Sequence, residues 1–101
     1  MKDRSVLLTE FIEYLQLEKN FSQHTIESYK KDILDFFMFM DEQIIAKLSD
    51  VTIQDARIYL TKLFENHYAR KSIARKISSV RTFYKYLLRE SSEEHTSELQ
   101  S

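Results

Sequence analysis

The stretch ARKSIARKISSVRTFYKYLLRE, residues 69–90, combines a helical apolar pattern with charges of a single sign. From Arg70 to Arg89 it contains seven Lys or Arg residues and no Asp or Glu. Apolar residues recur every three or four positions, which predicts an amphipathic helix with Ser72 as a candidate N-cap. The predicted apolar face consists of Ile73, Ile77, Val80, Tyr84, Leu87 and Leu88.

Three earlier segments show the same helical periodicity. The first has an apolar face on Leu7, Leu8, Phe11, Ile12 and Leu15 and ends near Lys19 and Asn20. The second begins after a candidate N-cap at Ser22 and closes at Asp41 and Glu42, and an apolar connector follows over residues 43–51. Thr52 begins the third, which frays near residues 65–67, with a capping-box pattern that has Asp55 in place of the usual Glu. No strand-like alternation of useful length competes, so the sequence predicts an all-α bundle of four helices.

Composition excludes several classes of protein. The 101 residues suffice for one domain, and without cysteine there can be no disulfide and no thiolate metal site, which fits a cytoplasmic setting. There is no run long enough to span a membrane and no signal peptide at the start. The chain contains no glycine and no proline, which excludes Gly-rich phosphate loops and predicts turns built on Asn, Asp and Ser.

The last ten residues, SEEHTSELQS at positions 92–101, differ from the rest. All ten match the translation of a common short-read sequencing adapter, so we expect a non-native tail, the alternative being a disordered polar terminus. The tail has three Glu and no Lys or Arg, and the other 91 residues have 15 basic and 13 acidic groups, a formal charge of +2. We therefore expect one folded domain over residues 1–91, and a natural gene that continues beyond about Glu90.

The basic helix predicts an anionic partner. The residues expected opposite or beside its apolar face, or just before its start, are Arg70, Lys71, Arg75, Ser78, Ser79, Arg81, Thr82, Lys85 and Arg89. Cations neutralise phosphates, while hydroxyl and guanidinium groups can reach base edges in the major groove. An ordinary solvated face, an acidic protein partner and an acidic membrane surface are the alternatives. The membrane is disfavoured because the bundle core needs the apolar face.

The second helix has a weaker pattern of the same kind. His24, Thr25, Ser28 and Lys31 fall outside its apolar stripe near the N-terminus, where free N–H groups and the helix dipole favour phosphate. Ser22 and Thr25 are equally well explained as residues that start the helix.

No catalytic constellation is recognisable. His24, His67 and His95 are scattered without metal-ligand spacing, and no carboxylate pair stands out for acid–base chemistry. Tyr14, Tyr29, Tyr59 and Tyr84 lie on or beside apolar stripes, which predicts core positions. We expect no catalytic residue, metal, cofactor or small-molecule substrate.

Three motifs resemble the tyrosine recombinases and phage integrases, especially the Xer-type recombinases, over roughly residues 5–90. FSQHTIESYKKDILDFFMF is similar to their second-helix signature, and VTIQDARIYLTKL to their third-helix pattern. SIARKISSVRTFYKYLLRE resembles the strongest signature of their N-terminal domain. The matching positions are Ser22, Thr25, Tyr29, Asp32, Ile33, Phe36, Ala74, Arg75, Ser78, Arg81, Phe83, Tyr84 and Leu87.

The resemblance implies an orthogonal four-helix, SAM-like core-binding domain that clamps double-stranded DNA at a recombination site. Its second and fourth helices would approach the major groove through His24, Thr25, Ser28, Lys31, Lys71, Ser72, Arg75 and Ser79. Phosphate contacts would come from Arg70, Arg81 and Lys85. The catalytic residues, including a nucleophilic Tyr, would belong to a following domain, so the fragment itself would not be an enzyme. Its parent would act with other recombinase protomers, on chromosome dimers or mobile elements.

Overall fold

The computed structural model describes residues 3–94, with the side chains of residues 3–90, and has four α-helices in that range. They are α1 (Arg4–Leu17), α2 (Gln23–Glu42), α3 (Ile53–Glu65) and α4 (Arg70–Glu94), and a 3-10 turn, Leu48–Asp50, lies between α2 and α3. Between residues 3 and 94 there is no strand, so the all-α, four-helix prediction is confirmed. The predicted tail from His95 onward lies outside the described residues.

The starts of α2 and α3 follow local sequence signals. The Ser22 hydroxyl accepts a hydrogen bond from the N–H of Thr25 at 3.2 Å. Thr52 and Asp55 form the reciprocal capping box, each side chain accepting from the other residue's N–H. Ser72 is not an N-cap, because α4 begins at Arg70 and the N–H of Ile73 already donates to the Ala69 carbonyl.

Residues that follow the helix ends adopt left-handed backbone angles, although the chain contains no glycine. Asn20, Ile44 and His67 all adopt left-handed backbone angles, with φ of 54°, 57° and 64°. Asn20 fits the expectation of turns built on Asn, Asp and Ser, since Asn tolerates this region. For Ile44 and His67 that expectation is wrong, because the hydrogen bonds that close α2 and α3 impose the conformation on whichever residue stands there.

An aromatic core joins α1, α2 and α4. The ring centroid of Phe11 lies 5.1 Å from that of Phe83 and 5.3 Å from that of Tyr86, and Phe37 lies 6.0 Å from Phe83. α3 is attached through Tyr59, which lies 5.1 Å from Phe36. The four tyrosines predicted for the core, Tyr14, Tyr29, Tyr59 and Tyr84, all lie in it or pack against it.

The buried face of α4 is rotated from the predicted one. Ile73, Lys76, Ser79 and Phe83 are buried, while most of the predicted apolar face is only partly buried. Leu88 is 56 % exposed, so its predicted core position is wrong. The rotation places polar groups of α4 against α2. None of the helices described in residues 3–94 has a stretch long and apolar enough to cross a membrane.

Candidate nucleic-acid interface

A buried carboxylate on α2 organises the charged side chains of α4. Asp32 is 0 % exposed and accepts two hydrogen bonds from Arg75, from Nε at 3.1 Å and from Nη2 at 2.9 Å. The Ser79 hydroxyl donates a third at 2.8 Å. A buried charge needs such partners, because removing it from water is otherwise very costly. The hydrogen bond from Arg75 to Asp32 is the main cause that raises the pKa of Arg75 above its ordinary value.

Lys76 is the buried cation of this cluster. Its Nζ lies 3.5 Å from Asp32 and also donates to Asp35, which is partly exposed. The same Nζ lies 5.0 Å above the ring of Tyr68. Lys76 therefore neutralises α2 carboxylates inside the protein and is not part of an outward basic surface.

One tyrosine beside these carboxylates lacks a hydrogen-bond partner. The Tyr59 hydroxyl is buried and has none among the described groups. Burial is the largest cause that raises the pKa of Tyr59, and the negative charges of Asp35 and Asp32 raise it further. Tyr84 differs, because its hydroxyl donates to the Leu48 carbonyl at 2.7 Å, and burial raises its pKa to about 12.

Two predicted interface residues of α4 lie within the buried cluster. Ser79 is 4 % exposed and bonded to Asp32, so its predicted place on the outward face is wrong, and the reason is the rotation of α4. Arg75 lies at the boundary: its side chain is 49 % exposed while one edge of its guanidinium group binds Asp32. The DNA contact predicted for Arg75 is thus restricted to its remaining edge.

Four cations define the exposed basic face of α4. Arg70, Lys71, Arg81 and Lys85 are exposed, and none forms an ion pair with the side chains described in residues 3–90. Lys71 and Lys85 are fourteen positions apart, which corresponds to about 21 Å along a helix axis. Arg89 differs from these four, because it lies 3.8 Å from Glu18 and from Glu90.

The predicted residues of α2 are accessible to different degrees. His24 and Lys31 are exposed, whereas Thr25 and Ser28 are partly buried. The Thr25 hydroxyl accepts from Ser22 at 3.0 Å, and the Ser28 hydroxyl donates to the His24 carbonyl at 3.3 Å. Ser72 of α4 is also partly buried. The cap geometry accounts for Ser22 and Thr25 as residues that start the helix, so His24 and Lys31 are the α2 groups best placed to meet a ligand.

A family model decides the relationship of this chain to known proteins. The phage integrase N-terminal SAM-like domain matches residues 8–91. The chain belongs to this family. The resemblance of its α2 and α4 motifs to tyrosine recombinases is thereby confirmed.

Relatives of this SAM-like domain are named tyrosine recombinase XerC. The chain is 50 % identical over 90 residues to the protein of Anoxybacillus flavithermus and 46 % identical to that of Listeria innocua, covering 89 % of this chain and 30 % of each relative. It is 52 % identical over 83 residues to the Bacillus licheniformis protein, with 82 % of this chain and 27 % of the relative covered. The chain thus spans less than a third of these relatives. No solved structure matches it.

In this SAM-like domain, sequence reasoning missed the roles of Asp32 and Lys76. From the sequence, Asp32 is only a motif position, and Lys76 is only one of the seven cations between Arg70 and Arg89 that favour an anionic partner. A signal did exist, since Asp32 and Asp35 interrupt the apolar run DILDFF of a core-facing helix. Among the described residues, no group of three or more His, Cys, Asp or Glu side chains is arranged to hold a metal ion.

Proposed function

We propose that this chain binds double-stranded DNA as the core-binding domain of a site-specific tyrosine recombinase. Membership of the phage integrase SAM-like family supports this, as do relatives named tyrosine recombinase XerC. The exposed basic face of α4 would lie along the duplex, with His24 and Lys31 of α2 beside it. Phosphate contacts would position the domain, and base-edge contacts would supply its sequence preference.

The observation that carries the proposal is that the cations of α4 form two sets, one paired with carboxylates and the other exposed without such partners among the described side chains. Three cations, Arg75, Lys76 and Arg89, form ion pairs with carboxylates outside α4. The four cations of the exposed face have no such carboxylate among the described side chains, which leaves a surface of one sign. Phosphate groups favour such a surface because their neutralisation releases condensed counterions.

The reaction of the whole protein is also a proposal, since the chain spans only about 30 % of the relatives it matches. We expect the parent to cut and rejoin DNA through a tyrosine nucleophile in a further domain. It would act in the cytoplasm together with other recombinase protomers. The resemblance of its motifs to those of Xer-type recombinases favours chromosome-dimer resolution over the movement of a phage or transposon.

Salt titration of DNA binding tests the proposal. Fluorescence anisotropy with a labelled duplex of mixed sequence should show affinity that falls steeply between about 50 and 200 mM salt. Arg81→Ala and Lys85→Ala should each reduce the slope of log affinity against log salt by about 0.9, one phosphate contact each. Arg89→Ala is the matched control, because Arg89 already faces Glu18, and it should change the slope much less.

Two results would contradict the proposal. One is wild-type protein that does not bind duplex DNA even at low salt. The other is a slope that Arg81→Ala and Lys85→Ala leave unchanged, since DNA would then bind elsewhere.

An acidic protein partner is the second candidate, and a groove between α3 and α4 favours it. The groove is predominantly apolar, and Phe64 in its wall is 54 % exposed. It is lined by Leu60, Phe64, Arg70, Ile73, Ala74, Ile77, Ser78 and Arg81. A synthetic helical peptide with leucines on one face and glutamates on the other would fit these apolar and cationic groups. If Phe64→Ser abolishes peptide binding and the wild type does not bind DNA, this candidate replaces the first.

A further inference from the structure

One cation of α4 differs from the exposed basic face in how it is held. Arg75 binds Asp32 through Nε and Nη2, at 3.1 and 2.9 Å, so a buried carboxylate fixes the plane of its guanidinium group. Its side chain is nevertheless 49 % exposed. Arg75 thus has one edge fixed to the protein, while about half of its side chain is exposed to solvent.

The free edge has the donor pattern that guanine requires. A guanidinium group has five N–H donors, and Asp32 takes two of them. The Nη1 group and the second Nη2 hydrogen donate to none of the described residues, and together they form an edge with two parallel N–H groups. Such an edge pairs with O6 and N7 of guanine in the major groove, the commonest specific contact between a side chain and a base.

From this arrangement we infer that Arg75 reads a guanine base, and that Asp32 is the positioning residue that makes the contact selective. The inference rests on the proposed DNA binding and adds a division of roles to it. Arg70, Lys71, Arg81 and Lys85 form no ion pair with the described side chains and would act on phosphates. Arg75 is held in one orientation before DNA arrives, so it loses less conformational freedom on binding than a free arginine would.

The location of Asp32 also supports selectivity. Asp32 lies on α2 and Arg75 on α4, and the Ser79 hydroxyl and the Lys76 ammonium also contact the carboxylate. The orientation of the guanidinium plane is therefore set by contacts between two packed helices, α2 and α4. A small error in that plane would misalign both hydrogen bonds to guanine, whereas a phosphate contact would tolerate it.

The test compares base preference with general affinity, using the full 101-residue chain. The probe is a pool of short duplexes with randomised positions, from which the wild-type protein selects its preferred sequence. Each guanine of that sequence is then replaced in turn, and affinities are measured at fixed salt. Wild-type protein should show one guanine whose replacement weakens binding by roughly tenfold or more, as expected for a bidentate arginine contact.

Asp32→Asn should reduce that guanine preference by about three- to tenfold, because Arg75 is no longer fixed. Its affinity for the unselected pool should stay equal or rise, since one negative charge has been removed. Arg75→Lys should lose most of the same preference at the same base pair, because an ammonium group lacks the rigid pair of parallel N–H donors that a guanidinium edge presents. Tyr84→Phe is the control for lost stability, since it removes a partly buried hydrogen bond nine residues along α4 from Arg75 and should leave the preference intact.

Each outcome decides the inference. If Asp32→Asn retains the full guanine preference, the inference is overturned, and Asp32 only joins α2 to α4. If Asp32→Asn fails to fold by circular dichroism, Arg75→Lys decides: retained preference overturns the inference, and selective loss supports it. Wild-type binding without any guanine preference overturns the inference but leaves the proposed function standing, whereas a wild type that does not bind DNA overturns both.

Discussion

Replacing Ile44 with glycine should stabilise the protein, because Ile44 is a β-branched residue in a left-handed backbone conformation. Its φ is 57°. The N–H of Ile45 donates to the Met40 carbonyl at 2.9 Å and that of Ile44 to the Asp41 carbonyl at 3.1 Å. These bonds form a Schellman motif, in which glycine usually occupies the left-handed position. The strain at Ile44 follows from how α2 ends.

The expected gain can be worked out because the side chain contributes little else. Ile44 is 91 % exposed, so its removal sacrifices almost no apolar burial. A left-handed conformation costs an L-residue about 1–2 kcal/mol relative to glycine. Glycine loses about 0.5–1 kcal/mol more conformational freedom on folding, which offsets part of the gain. The net increase in the free energy of unfolding should be about 0.5–1 kcal/mol, or roughly 2–8 °C in Tm for a domain of this size.

Urea and thermal unfolding, followed by circular dichroism at 222 nm, would measure this gain. The midpoint should rise while the denaturant slope stays constant. Asn20→Gly is the matched control, because Asn20 has φ of 54° but tolerates it, so its gain should be smaller. Ile44→Ala retains a β-carbon and should recover only part of the effect. A fall in the stability of Ile44→Gly, or an equal gain for Asn20→Gly, would refute the reasoning.

The remaining predictions concern buried polar groups. Tyr59→Phe should raise the free energy of unfolding by about 1 kcal/mol, since it removes a buried hydroxyl without a partner, while Tyr84→Phe should lower it by about 1 kcal/mol, since it removes the donor to the Leu48 carbonyl. Urea unfolding of the two variants in parallel checks both signs. The folded pKa of Tyr84, about 12, exceeds the ordinary value of 10.0, so its contribution to stability is complete below pH 10 and is lost as pH rises towards 12. Wild type should therefore lose more stability than Tyr84→Phe between those pH values, and equal losses would contradict the raised pKa. Lys76→Met should cost about 3 kcal/mol by leaving buried carboxylate charge uncompensated, whereas Arg81→Met, at an exposed cation without an ion pair among the described side chains, should stay within about 0.5 kcal/mol. Similar Tm values for these last two variants would show that Lys76 is not held as described.

Features that depend on neighbouring residues were predictable from the sequence. The helices follow from apolar periodicity, and the caps at Ser22 and Thr52 need only partners three residues away. The expectation that Asn, Asp or Ser forms the turns failed at Ile44 and His67. The backbone adopts the left-handed conformation there although neither residue is of those types. Periodicity identifies an apolar face but does not show whether another helix covers it, and Ile53, the first residue of α3, is 75 % exposed.

The rotation of α4 was not predictable from periodicity, because its cause lies far away in the chain. Arg75 and Asp32 are 43 residues apart, and Ser79 and Asp32 are 47 apart. An apolarity pattern assigns Lys76 and Ser79 to solvent, since it evaluates each residue without its partner. Once Asp32 is buried on α2, its charge requires donors, and the α4 side chains facing it become interior residues. The DNA contacts expected on α4 therefore stay a prediction, and Ser79 is the residue whose outward position was misassigned.

The single sign of charge between Arg70 and Arg89 of α4 follows from where its counterions lie. A carboxylate on α4 itself, three or four residues from a cation, would pair with it at the surface and weaken the exposed basic face. Asp32 and Asp35 lie on α2, so they neutralise only the cations that face the helix contact, Arg75 and Lys76. The cations on the opposite side of α4 are not paired with these carboxylates, so their charge remains available to a ligand. The same arrangement joins the two helices and fixes one guanidinium group at the boundary between them. A specific contact is therefore expected at Arg75, and non-specific contacts are expected at Arg70, Lys71, Arg81 and Lys85.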